Sequence, residues 1–176
     1  VMVGNQAGLL KVLTPDRRVA HSRGIDDRSL AQMSERDREA LLVPLGIQRS
    51  DYTSTALQLM KDFDSLPPKE TVAVLGTLAS SQHLAEDTRG QIEAFLVKTF
   101  QSSSDIFARR QAILALAVLP QVQSATVEAV VQHYEKTPNL WETFPIQQFF
   151  EHHHAAIGQR EEVALLLHRL AQVPSL

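Results

Sequence analysis

Eight consecutive residues, Ala112 to Leu119, are apolar, and Pro120 follows them directly. A helix that is apolar all round has to be covered on every side. A bilayer span takes about 20 such residues, so this run is too short for lipid and calls for a cover of protein. The wider stretch is Ser104 to Pro120, SDIFARRQAILALAVLP. Ser104 suits an N-cap, and Asp105 suits the positive end of the helix dipole. Pro120 stops the helix because proline cannot continue the hydrogen-bond ladder. The stretch predicts the central helix of an all-α domain. Arg109 and Arg110 precede the apolar run, where their side chains reach back to the surface.

The flanking chain reads as more helices. Ser34, with Glu35 and Asp37 behind it, opens a short one that Pro44 ends or kinks and Gly46 closes. A helix over about 54–65 gathers Ala56, Leu59, Met60 and Phe63 on one face. Pro68 favours the first position of the next, 68–80, which buries Val72, Leu75, Leu78 and Ala79. Gly76 inside it points to a close approach between helices. After a loop at 80–85, the helix at 86–101 carries Ile92, Phe95, Leu96, Thr99 and Phe100 in an amphipathic stripe. Ser124 caps a helix with Val127, Val130, Val131 and Tyr134 as its stripe. Trp141 and Phe144 fall in a short connection, and Thr143 caps a helix with Pro145 in its first turn that runs to Ile157. A last helix, about 160–172, buries Val163, Leu166, Leu167 and Leu170. No strand-like alternation competes with this pattern.

Residues 1–33 read as a partly irregular extension ahead of a helical repeat domain over 34–176. Gln6 to Leu13 suits a short helix, and residues 14–28 read as a polar loop carrying Arg17, Arg18, Arg23 and Arg28. The 176 residues fit one domain. The absence of cysteine excludes disulfides, thiolate catalysis and cysteine-based zinc sites. A net charge of −3 argues against general nucleic-acid binding. Residues 1–50 carry eight basic against six acidic residues and the remainder nine against fourteen, so the chain is mildly basic, then acidic. No transmembrane stretch is present. The Val-Met opening suggests a processed or trimmed chain, and the compartment stays open between cytoplasmic and exported.

From the second helix of the array onward, alternate helix starts lie 36–40 residues apart (68 to 105, 86 to 124, 105 to 145, 124 to 160). That is the period of two-helix repeats of the HEAT or armadillo kind. In the central stretch, Asp105, Ala108, Arg109, Ala112, Ala115 and Leu116 resemble the second-helix pattern of HEAT-like repeats. The resemblance covers one repeat; the helices at 68–80 and 145–157 lack the Asp and the Arg. It implies a short right-handed array of antiparallel helix pairs, an α-solenoid or a compact bundle. It also implies structural roles for Asp105 and Arg109, in a ladder between neighbouring repeats.

Chemistry is thinly signposted. His152, His153 and His154 point about 100° apart on a helix, so the three cannot share one metal. The simpler reading places one or two of them partly buried and hydrogen-bonded to a neighbouring helix, with His152 exposed. A zinc site would need His168 or Glu162 from elsewhere, and a metal-dependent helical enzyme is the alternative built on it. No P-loop, G-x-G-x-x-G or G-x-S-x-G is present. Trp141, Phe144, Phe149 and Phe150 form an aromatic cluster, read as core in the first place and as an interaction hot spot in the second. The expected function is a non-enzymatic interaction or scaffold module without a cofactor. It would bind a protein or peptide, with Trp141, Phe144, Arg109 and Arg110 as interaction candidates. A HEAT-like nucleic-acid binder, using Arg109, Arg110 and the N-terminal arginines, is the remaining alternative.

Overall fold

The computed structural model describes residues 33–136, 140–154, 164–165, 168 and 172. Among these residues the chain is all-helical, without strands, in seven α-helices. They are α1 (Glu35–Ala40), α2 (Tyr52–Lys61), α3 (Pro68–Ala79), α4 (Glu86–Ser102), α5 (Ile106–Val118), α6 (Ser124–Lys136) and α7 (Leu140–His152). Short 3-10 turns at Val43–Leu45, Arg49–Asp51 and Phe63–Ser65 join the first elements. The expected elements at Gln6–Leu13, 14–28 and most of 160–172 lie outside the described residues.

The helices start and stop where side chains satisfy their end groups. Ser34 Oγ accepts the Asp37 N–H at 3.1 Å, capping α1. Gly46 closes the turn after Pro44 with φ of 74°, a left-handed conformation that suits glycine. The cap of α5 is Asp105, not Ser104. Its Oδ1 accepts the N–H groups of Phe107 and Ala108 at 2.9 and 3.1 Å. An ionised acceptor at this position is also favoured by the dipole. Arg89, largely buried, closes the C-terminal end of α3 by donating Nε to Ala79 O at 2.9 Å and a second nitrogen to Ser81 O. Glu93 opens α6, its Oε1 accepting from Gln123 N–H and Thr126 Oγ at 2.8 and 2.6 Å.

Helices two apart in the chain pack on one another: α1 on α3, α2 on α4, α3 on α5, α4 on α6 and α5 on α7. Consecutive helices α2–α3, α3–α4 and α4–α5 are also in contact. The odd-numbered helices therefore form one layer and the even-numbered ones a second. The hub is α5, packed most extensively on α3, α7 and α4. Its apolar run is buried without exception over residues 112–119, the cover the sequence required. On α3 every residue from 70 to 79 is buried as well. The two helices approach closely because Gly76 has no side chain: a Cβ there would lie 2.5 Å from Ala115 Cβ. Phe100, Phe149, Phe150, Ile92 and Leu96 are fully buried in the core.

The main departure from the sequence reading is the start of α7. The helix begins at Leu140, so Thr143 is not its cap, Trp141 and Phe144 are helical, and Pro145 lies inside. Its bounds are Leu140–His152, and the end of the expected stretch, at Ile157, lies outside the described residues. Proline at 145 cannot donate to the carbonyl four residues back, which is that of Trp141. Arg110 on α5 supplies a donor instead, its Nε 2.9 Å from Trp141 O. At the other end Pro120 cannot donate to Leu116 O, which accepts the Leu119 N–H at 3.4 Å and His153 Nε2 at 2.8 Å. The first turns of α5 and α7 are joined by Arg110 and their last turns by His153, so the two helices run parallel.

Candidate interaction surface

His153 is buried, and because a carbonyl only accepts, its bond to Leu116 O assigns the proton to Nε2. Phe149 stacks against the ring, with centroids 5.0 Å apart. Burial holds the His153 pKa below the ordinary histidine value, with His152 acting the same way; the Leu116 carbonyl and Glu93 oppose this. His152 and His154 are exposed, and His154 Nδ1 lies 3.0 Å from Glu151 O. His168 is exposed beside Gln172, 3.2 Å away. The structure thus divides the histidine run, and among the described residues no three His, Asp or Glu side chains converge.

Two clefts were candidates for chemistry. One, about 380 Å³, is lined by Glu39, Val43, Ile47, Arg49 and Tyr52. Glu39 accepts from Ser81 Oγ at 2.7 Å and pairs with Arg49 at 2.9 Å. Its burial would raise the carboxyl pKa, but the Ser81 and Arg49 bonds and the Arg49 charge outweigh this and hold it low. The other, about 390 Å³, lies between Glu86, Arg89, Gly90, Glu93 and the loop at 120–123. There Arg89 pairs with Glu86 and caps α3, while Glu93 caps α6. Glu39 and Arg49 of the first cleft pair with each other, and Glu86, Arg89 and Glu93 of the second are engaged in holding helix ends and neighbouring turns.

A different kind of site lies where α5 and α7 begin. Three large apolar side chains are exposed there: Ile106 (42 %) and Phe107 (54 %) in the first turn of α5, and Trp141 (56 %) in the first turn of α7. Arg110 is one turn from Ile106 and Phe107 on the same face of α5. Its Nε holds Trp141 O, and its guanidinium carbon sits 5.9 Å from the centre of the half-buried Phe144 ring. The arginine therefore links the two helix starts that carry these exposed side chains.

A buried clasp underlies the patch. Glu142, next to Trp141, is almost wholly buried and lies between Arg109 and His133. Arg109 Nε on α5 is 3.5 Å from its Oε1, and His133 Nε2 on α6 is 2.7 Å from its Oε2. The His133 ring also packs edge-on against Phe100, with centroids 5.2 Å apart. Arg109 thus bridges neighbouring helices of one layer, and Asp105 acts within its own helix as a cap.

The sequence candidates therefore divide. Arg110, Trp141 and Phe144 come together at the surface, Arg109 turns into the clasp beneath, and Phe149 and Phe150 are core. Trp141 is not core, contrary to the first expectation for the aromatic cluster. Sequence reading passed over Ile106, Phe107, His133 and Glu142. The i, i+3 and i, i+4 spacing of Phe107 and Ile106 to Arg110 was a legible signal for the first two. Nothing local marked the others. No described helix is long and apolar enough to cross a membrane. No family model, no curated protein and no solved structure matches this chain.

Proposed function

We propose that this chain is a protein-interaction module: a short HEAT-like helical scaffold whose docking face is the joined start of α5 and α7. The observation that carries this reading is the exposure of Ile106, Phe107 and Trp141 around Arg110 on a chain whose other aromatic side chains are buried or half-buried. Scattered single apolar residues on a surface are ordinary, but a contiguous aromatic patch marks a contact site. Trp and Arg are the residue types that dominate binding energy at interfaces. The packing of each helix on the helix two further along, with alternate helix starts 34–38 residues apart from α3 to α7, supports the scaffold half of the reading. A photo-crosslinking amino acid at position 107, compared with one at the exposed Leu57 on α2, tests the docking half. A defined protein adduct from position 107 and not from 57 is the expected result. Equal labelling from both positions, or none from 107, rejects it.

A further inference from the structure

We infer that α1 is a polar latch, which opens and melts as a unit while the rest of the helical array stays folded. Each of the other described helices buries apolar side chains of its own. In α1 no residue is buried, and its one apolar residue, Ala40, is exposed. What holds α1 is a row of polar contacts to the turn between α3 and α4. Glu35 Oε1 accepts the Gln82 N–H at 2.8 Å, Arg38 Nε donates to Ser80 Oγ at 3.0 Å, and Glu39 Oε1 accepts from Ser81 Oγ at 2.7 Å. Their i, i+3, i+4 spacing brings the three side chains to one face of the helix. Glu39 also pairs with the exposed Arg49.

Hydrogen bonds of this kind replace bonds to water and contribute little net stability. A helix of six residues is also far shorter than the roughly 12–15 residues that hold together alone in water. Leaving the turn therefore means unwinding. The motion has a defined limit, because Leu42, Leu45 and Ile47 are buried directly after α1. The chain swings from Leu41 and is held again from Leu42 onward. Opening takes Arg36, Glu39 and Ala40 out of the wall of the 380 Å³ cleft. It also frees the Ser81 hydroxyl and the Gln82 N–H from the carboxylates that accept from them. The turn at 80–82 is thus a surface covered by two carboxylates of the same chain, and α1 controls access to it.

The chain has no cysteine, so a single introduced thiol reports on opening. Ser81→Cys sets one at a fully buried position against Glu39, and Val130→Cys sets a control in the buried face of α6. Under native conditions dithiobis(nitrobenzoic acid) should modify position 81 far faster than position 130, at a rate that barely rises with low urea, since little surface is exposed. Glu39→Ala should speed labelling at 81 about tenfold, equivalent to about 1.4 kcal/mol, and Glu35→Ala should act in the same direction. Phe149→Ala, which weakens the core away from α1, should speed labelling at 130 and leave 81 unchanged. On the unaltered chain, hydrogen exchange of the Gln82 amide should show the same weak urea dependence, against a strong one for residues 113–118. Labelling at 81 no faster than at 130, a response of both positions to Phe149→Ala, or a steep urea dependence at Gln82 overturns the inference, because α1 would then open only with the whole fold. Fast labelling at 81 that ignores both Glu35→Ala and Glu39→Ala overturns it as well, because these contacts would not be what holds the latch.

Discussion

At the scale of single residues, side chains with fixed duties hold this fold. Asp105 satisfies two N–H groups of α5, and Asp105→Ala should lower stability by about 1 kcal/mol, read as a drop in the denaturation midpoint at unchanged slope. Gly76 is demanded by contact rather than by its torsion angles. Gly76→Ala sets a methyl against Ala115 Cβ and should cost about 1–3 kcal/mol, although alanine is the better helix former. His153 gives a pH signature. Its folded pKa lies below the ordinary value, chiefly because of burial, so near and below about pH 6.5 the unfolded chain binds the extra proton first. Stability is fully present above that pH and declines as pH falls toward 5. In His153→Phe this part of the decline should vanish. That variant also removes the shorter of the two hydrogen bonds to Leu116 O, whose other donor is the Leu119 N–H, at a pH-independent loss of about 1 kcal/mol. An unchanged pH slope in the variant, measured by denaturation at several pH values, would remove His153 as its source.

At the scale of elements, α7 is the helix whose local sequence and structure disagree most. Proline ordinarily sits at a helix start, yet α7 runs through Pro145. The disagreement is resolved on another helix, where Arg110 donates to the Trp141 carbonyl that proline cannot reach. The clasp of Arg109, His133 and Glu142 then fixes the same turn from below. Glu142→Ala takes the buried carboxylate away from Arg109 and His133 and should cost about 3 kcal/mol. It should also alter Trp141 emission, since that residue is its neighbour. Circular dichroism melting together with the emission maximum checks both. A destabilised variant with native emission would show that the clasp does not position the patch.

At the scale of the whole molecule, α5 is held from several sides and the remaining helices are arranged around it. Local opening should therefore be rarest in α5 and α3. Native-state hydrogen exchange should find the slowest amides in residues 113–118 and 72–79, approaching the global unfolding free energy, with α1 and the turns after it far faster. Phe149→Ala, which empties a fully buried site between α5 and α7, should cost about 3–5 kcal/mol. If α7 amides exchanged as slowly as α5 in that variant, the packing of the two helices would not be the source of their protection.

The amino-acid sequence by itself determined the helices and their covered faces. An unbroken apolar run, stripes at helical spacing, and proline and glycine punctuation are local signals, and each acts within a turn or two of where it is written. It also placed His152 outside and one or two of the other histidines inside; that His153 is buried and His154 exposed is a tertiary outcome. Only the tertiary structure decided where α7 begins, that Trp141 faces outward, and that Arg109 and Arg110, adjacent in sequence, go to different environments. Those outcomes depend on which donor reaches a carbonyl that proline leaves unsatisfied, and on which carboxylate is buried against which cation. Such partners lie 31 and 33 residues apart along the chain, and no local pattern records their meeting.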